Sequence, residues 1–541
     1  MSEREGKAAV GLAVEVDAEG IPQLRFPEPF NVAEHFIDRH ISEGRGGKVA
    51  VRTPEREVTY AELLDAVNRF GNTLRKLGIG GGERVLMVVK DCPEFFFLFW
   101  GAIKAGVIPV PLNTLLRAKD FEFIMRDSGC AGVVYSPEFA GEVEAALAER
   151  SWRPRVVLRL EDGEDALTAR ARDASPELRA VRARAEEDGF WLYSSGTTGQ
   201  PKGVVLAHGS IAVTGRHYAV ETLEAREEDV FFSVPRLFFS YGLGCGMTFP
   251  LWLGATAVLD DRRPTPQTVT EVFRRCAPTV FAAVPTFYAA LLAAGVPARG
   301  DLLRLRRCIS GGEPAPPELQ RRWLERTGVP ITEGIGSTEV GHIYISNRID
   351  DIRPGTTGKP VPGYQVRIVD EGGRDVAGEA PGRLLVKGQS VTRGYWNNPE
   401  KTARAFIEGW LDTGDIFRRD QEGYYVYCGR TDSMLKVGGR WVSPFEIEAV
   451  LAEHPGVLEA VVVGRRDEIG LVKAEAWVVL RNPNDASERT AEEIRTFCKS
   501  RLAPYKYPRW INFVDELPKT ATGKIQRFKL RASPREVAEV A

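Results

Sequence analysis

The sequence predicts an α/β protein. A large N-terminal domain of layered α/β sheets ends in a small β-rich subdomain, and an α+β domain follows at the C-terminus. Three observations carry this expectation. Strand-like and helix-like runs alternate up to about residue 355, the pattern of partly parallel sheets covered by helices. Beyond that point the runs are short, alternating and split by Gly and Asp, as in antiparallel β-structure. From about Trp441 helices and strands return over roughly 100 residues, enough for an independent domain. With 541 residues the chain also exceeds what one core accommodates.

Taken in order, residues 1–30 are polar, carry acids and show little pattern, unlike a secretory signal. "TYAELLDAVNRFGNTLRKLGI" has apolar residues at helical spacing and stops at glycines. "RVLMVV" reads as a buried strand and "FFFLFWGAIKAG" as a buried helix closing on Gly106, with "VIPVPL" the next strand. Lys104, Pro109 and Pro111 argue against a membrane span here. "GVVYS", "PTVFAAVP" and "RRCISGG" repeat the rhythm. "YQVRIVDEGG", "GRLLVKGQS" and "YYVYCGRTD" make the β-rich subdomain, residues 355–431. The large domain is thus expected over 1–431 and the small one over 432–541, divided near "CGRTDSMLKVGG". In the latter, "SPFEIEAVLAEH" starts with Ser443 as N-cap and Pro444 at the first helical position. "LEAVVVGR" and "AEAWVVL" are strands, "SERTAEEIRTFCKSRL" is a helix, and the tail after Leu530 has little apolar pattern.

Lys plus Arg total 72 and Asp plus Glu 74, a net charge of −2, so no global basic footprint points to nucleic acid. The seven cysteines are scattered and never form C-x-x-C, which fits a reduced cytoplasm rather than a disulfide framework or zinc site.

"YSSGTTGQPKGVVLAH", Tyr193 to His208, is the stretch with evident chemistry. Strand-like runs flank a loop of Ser194, Ser195, Gly196, Thr197, Thr198 and Gly199, with Lys202 just beyond. It departs from the G-x-x-x-x-G-K-[ST] pattern, because only two residues separate Gly196 from Gly199. Composition alone allows a flexible surface hairpin. It equally allows a loop whose N–H groups, hydroxyls and one lysine hold phosphoryl oxygens.

This stretch resembles the phosphate loop of the acyl-adenylate-forming enzymes. Five further motifs follow in that superfamily's order: "EGIGSTE", "GWLDTGD", "GRTDSMLKVGG", "SPFEIE" and "PKTATGKIQR". The resemblance covers about residues 30–530. Within the superfamily, "RLFFSYGLG", "GIGSTEVGHIYISN" and "APYKYPR" look most like the benzoate-CoA ligase group.

The resemblance implies activation of a carboxylate by ATP to acyl-AMP, with release of pyrophosphate, then transfer to coenzyme A. It assigns Thr338 to the α-phosphate and Glu339 to Mg²⁺, which needs only one or two protein carboxylates. Asp415 is assigned to the ribose hydroxyls, and Arg430 to ribose or phosphate. Gly311, Gly312 and Glu313 of "SGGEP", with Glu333, Gly334 and Ile335, are expected around the nucleotide. Ile335 stands where the superfamily often has a tyrosine stacked on adenine, a departure shared by the benzoate group. Lys524 corresponds to the catalytic lysine, Asp432 to the hinge, and Gly438 and Gly439 to the coenzyme A tunnel. The acyl pocket is expected from Phe239, Ser240, Tyr241, Gly242, Ala282, Gly336, Gly341 and His342. Small Gly341 and Ala282 leave room for a ring, and Ser240, Tyr241 and His342 can reach a ring substituent such as a hydroxyl or a 2-amino group. Tyr241 and Phe239 also suit ordinary packing. The partners expected are an aromatic acid, ATP and coenzyme A, with neither nucleic acid nor membrane. A separate carrier protein as acyl acceptor is the alternative to coenzyme A, and a catalytically silent adenylate-binding scaffold is a third reading.

Overall fold

The computed structural model describes residues 12–149, 151–161, 163–195, 200–302, 304–431, 434–437, 440–468, 470–519 and 525–532. Its centre is a nine-stranded sheet. Six strands run parallel, in the spatial order Val49–Arg52, Thr256–Val258, Val230–Ser233, Val280–Ala283, Arg307–Ser310 and Ile331–Gly336. Ile343–Ser346 and Lys359–Pro360 extend one edge antiparallel, and Glu57–Thr59 the other. A second sheet is wholly parallel and holds Ile108–Pro111, Arg84–Val88, Gly132–Tyr135 and Val156–Arg159. Such sheets are covered on both faces, so their strands read as continuous apolar runs. "RVLMV" is buried at every residue but Arg84.

The helices follow local signals. Thr59 caps Tyr60–Lys76 with its side chain on the Glu62 amide, and Glu62 returns the bond, a capping box. The apolar helix is Pro93–Ala105, 13 residues long, ended by Gly106 at φ +83°. The ammonium of its Lys104 is buried against Asp38 and Asn68. Among the described residues no helix is long and apolar enough to cross a membrane.

The β-rich stretch forms a five-stranded antiparallel sheet of Tyr364–Val369, Gly382–Gly388, Trp410–Arg419, Phe406–Ile407 and Tyr425–Arg430. In the C-terminal stretch, Val457–Arg466 and Val472–Leu480 pair antiparallel and Trp510–Phe513 adds in parallel. Helices Pro444–Ala452 and Glu488–Lys499 pack with them around a buried cluster of their own, from Leu435 to Leu502. Ser443 caps the first of these helices, accepting from the Glu446 amide. One element has no signal in the sequence pattern: Val14–Val16 pairs with Pro22–Leu24. Three-residue strands are too short to show a period. Gln389 anchors this hairpin, bonding the Leu24 amide and carbonyl at 2.7 and 3.0 Å.

The fold positions the site simply. Four adjacent parallel strands end at Ser233, Ala283, Ser310 and Gly336, and the segments 235–242, 311–315 and 337–342 leave from these carboxyl ends. Ligands of open α/β sheets bind at such ends.

Candidate active site

The expected phosphate loop lies on a hairpin. Asp188–Ser195 pairs antiparallel with Pro201–Ala207, setting Lys202 opposite Ser194 and Pro201 opposite Ser195. Gly196, Thr197, Thr198 and Gly199, between the two strands, lie outside the described residues. The Lys202 ammonium donates to Glu339 Oε1 at 2.6 Å and to the Tyr395 hydroxyl at 2.9 Å. That hydroxyl donates to the same Glu339 oxygen at 3.0 Å. The ammonium also lies 4.1 Å from the Tyr395 ring centroid, a cation–π contact. Burial works to raise the Glu339 carboxyl, but the Lys202 charge and the bonds from Lys202 and Tyr395 hold it below the usual carboxylate range. Burial, then the Glu339 charge, push the Tyr395 phenol up, so it stays a donor.

Thr338 and Glu339 open the single helical turn Thr338–Val340. The Ser337 and Ser194 hydroxyls are buried and have no hydrogen-bond partner among the described residues. Spare buried hydroxyls beside a lysine and a carboxylate suit phosphoryl oxygens and a hard cation. Among the described residues no three His, Cys, Asp or Glu side chains gather as metal ligands. A divalent ion here would rest on Glu339 and on oxygens of the bound ligand.

Asp415 is 7% exposed on Trp410–Arg419, directly across from Arg430. Arg430 donates to its carboxylate at 3.1 Å, and the Asp415 amide donates to the Thr413 hydroxyl at 3.1 Å. Gly311, Gly312 and Glu313 follow the Arg307–Ser310 strand. A Cβ at Gly311 would lie 3.7 Å from the Tyr241 ring, so this loop and the expected acyl pocket share a wall. Gly334 pairs with Ser346 and half-buried Ile335 with Ile345. Glu333, expected around the nucleotide, instead turns its carboxyl inward. It accepts from the Ala315 amide at 3.1 Å and from Gln320 at 2.7 Å, and burial pushes its pKa up to about 8. It braces the 311–315 loop from behind.

Phe239, Ser240 and Tyr241 are half-buried where the Ser240–Leu243 helix begins. The Tyr241 hydroxyl lies 2.9 Å from the Ile309 carbonyl and 3.2 Å from that of Ala283. Its one proton is committed to strand ends, which leaves the oxygen able to accept from a ring substituent but not to donate to one. Ala282 is buried on the intervening strand. A Cβ at Gly242 would lie 2.1 Å from the Arg236 carbonyl, so glycine there permits a close backbone approach rather than opening a pocket. Gly336 backs onto the His342 main chain in the same way. Gly341 is also reassigned. It ends the Thr338–Val340 turn at φ +85°, and a Cβ there would face Thr214 and Leu206 at 3.8 and 4.0 Å. Its smallness serves a left-handed turn. His342 is fully enclosed, with the Phe249, Tyr218 and Tyr241 rings 4.5, 5.1 and 5.8 Å away. Burial lowers its pKa to about 3, so it is neutral. Nε2 lies 3.3 Å from the Tyr241 carbonyl, while Nδ1 is buried with no partner among the described residues.

Asp432, Gly438, Gly439 and Lys524 lie outside the described residues, but their flanks do not. Lys519 and Ile525 pair in an isolated antiparallel bridge. Arg527, at the end of "GKIQR", donates to Glu448 of "SPFEIE" at 2.8 Å and to the Val462 carbonyl at 2.9 Å. It lies 4.4 Å from the Phe445 ring centroid, and Phe445 meets Tyr427 edge-on at 5.0 Å. Two of the recognised motifs are thus tied to each other.

Tyr395, Gln320 and Arg527 were not expected. Tyr395 meets Lys202 across 193 residues, and no local spacing marks such a contact.

The model of AMP-binding enzymes matches residues 38–396, and that of the AMP-binding enzyme C-terminal domain matches residues 446–524. The chain is 48% identical to the benzoate–CoA ligase of Thauera aromatica over 516 residues, 95% of this chain and 98% of that one. It is 43% identical to the 4-hydroxybenzoate–CoA/benzoate–CoA ligase of Rhodopseudomonas palustris, over 93% and 94% of the two. Among solved structures, the anthranilate CoA ligase AuaEII in complex with anthranoyl-AMP is similar with a TM-score of 0.89 at 40% identity, covering 94% of this chain and 97% of that one.

Proposed function

Because the chain belongs to the AMP-binding enzyme family, we propose that it is an AMP-forming ligase that joins an aromatic carboxylic acid to coenzyme A. The observation that carries this reading is the pairing of Lys202 with Glu339 at the carboxyl ends of the parallel strands, in a chain 48% identical to a benzoate–CoA ligase.

A carboxylate is a poor electrophile, because its charge is delocalised. In the first step its oxygen attacks the α-phosphorus of ATP and pyrophosphate leaves with the electrons of the α–β bridge. In the second the coenzyme A thiol loses its proton and attacks the acyl carbon, and AMP leaves. Charge builds on the phosphoryl groups in the first step, so the residues there must supply fixed positive charge and donors. Lys202 supplies the charge to the outer phosphates, leaving Glu339 as the triphosphate enters. The Thr338 and Ser337 hydroxyls, with Ser194, donate to phosphoryl oxygens. Asp415 accepts from the ribose hydroxyls, and Arg430 holds Asp415 in place. Glu339 would hold Mg²⁺, which would screen the triphosphate and polarise its oxygens. Lys524 bridges carboxylate and phosphate. The small domain, 432–541, turns about Asp432 between steps, bringing Gly438 and Gly439 to the coenzyme A channel.

The substrates are benzoate or ring-substituted benzoates, the class named for the relatives. His342 joins Ser240 and Tyr241 as a polar group of the wall, and its Nδ1, without a partner among the described residues, suits a donor on the ring. Exchange of labelled pyrophosphate into ATP tests the reading. It should require an aromatic acid and proceed without coenzyme A, and exchange independent of acid would refute it. Thioester formation with free coenzyme A separates this reading from loading of a carrier protein.

A further inference from the structure

The segment 390–396 joins the two elements that face the phosphates. Ser390 donates from its hydroxyl to the Val340 carbonyl at 2.7 Å, and the Thr392 amide to the Glu339 carbonyl at 2.7 Å. The Thr392 hydroxyl reaches the Val205 carbonyl of the phosphate hairpin at 2.5 Å. Tyr395 bridges to Val204, and the Trp396 amide donates to the Gly203 carbonyl at 2.8 Å. The segment therefore lies alongside the residues that follow Lys202, joined to them by a single antiparallel bridge, with its other end on the Thr338–Val340 turn. Tyr395 is where side chains complete the link. Its hydroxyl accepts from Lys202 and donates to Glu339 Oε1, and its ring underlies the ammonium. Both side-chain donors take Oε1.

We propose that Tyr395 is a positioning residue that orients the Glu339 carboxylate for a divalent cation arriving with ATP, and that it seats Lys202 on its ring until the triphosphate draws the lysine away. The proposal rests on the reading that Glu339 faces the cation. When Lys202 leaves, its charge-assisted bond to Glu339 is lost, and the phenol remains the one side-chain donor described on the carboxylate. It keeps Oε1 fixed and leaves Oε2 for the metal. The ring meanwhile offers Lys202 a weak partner that it can leave without stranding a buried charge.

ATP binding to the full-length wild type, Tyr395→Phe and Glu339→Gln, measured calorimetrically with Mg²⁺ and with EDTA, tests this. Phe keeps the ring and its packing, and thermal melts check that each variant is folded. Tyr395→Phe should cut the Mg²⁺-dependent gain in ATP affinity by about tenfold, the scale of one hydrogen bond to a charged group, while metal-free ATP binds within about threefold of wild type. An undiminished Mg²⁺ gain in Tyr395→Phe, with the gain lost in Glu339→Gln, would overturn the role of Tyr395 and leave the role of Glu339 standing. Equal weakening with and without Mg²⁺ would reduce Tyr395 to a structural part and also overturn it. A full Mg²⁺ gain in Glu339→Gln would remove the premise itself.

Discussion

Glu333 is a carboxyl enclosed by protein, and its protonation is coupled to folding. Its pKa is about 8 in the folded chain, against an ordinary value of 4.5. Between these values the folded state holds a proton that the unfolded state has released, so stability must fall as pH rises, at about 1.4 kcal/mol per pH unit for this group. The contribution is fully present below about pH 4.5 and is lost by about pH 8. Glu333→Gln should remove that slope. Melting temperatures of the two proteins should cross or converge across this window, and parallel curves would contradict the assignment. Gly341 makes a second prediction at this scale. At φ +85° alanine is strained, so Gly341→Ala should cost about 1–2 kcal/mol of stability. The ratio of kcat/KM values among benzoates should stay the same, because the added methyl faces Thr214 and Leu206. Residue identity made Glu333, Tyr241 and Gly341 legible as members of motifs, but not which way each side chain points. That direction depends on partners such as Gln320, Ile309 and Thr214, which come from other strands and helices.

The elements were more legible than the residues. The phosphate hairpin followed from strand-like runs either side of the Ser/Thr/Gly loop, and the C-terminal helices from their caps, because these signals are local. The 390–396 segment was not legible. It is short, irregular and without apolar period, and it bonds to Val340, Lys202 and Asp127, which lie 50, 193 and 269 residues away. A test at this scale is Thr392→Val, which keeps the shape and removes the hydroxyl bonded to the Val205 carbonyl. Loosening the phosphate hairpin against the Thr338–Val340 turn should raise KM for ATP by about three- to tenfold, the range of one buried hydrogen bond. KM for the aromatic acid should change little, and equal rises in both would argue against a link specific to the phosphate side.

For the whole molecule, the layered architecture was readable because periodicity and motif order cover most of the chain. The hinge and the catalytic lysine rest on resemblance. Lys524→Ala should lower adenylation by about 10²–10³-fold or more, the cost of losing a preorganised charge. Thioester formation from supplied acyl-AMP and coenzyme A should survive, because the lysine has by then swung out. Equal loss of both steps would contradict a two-position small domain. The chain's function is defined by the acid that it activates and the thiol that receives it. The most direct measurement is kcat/KM for CoA-thioester formation, by chromatographic detection of the product, across benzoate, 2-aminobenzoate, 3- and 4-hydroxybenzoate, acetate and a medium-chain fatty acid. One or more benzoates should exceed both aliphatic acids by orders of magnitude with free coenzyme A as acceptor. Comparable or better turnover of the aliphatic acids, or adenylation of benzoates without any thioester, would contradict it.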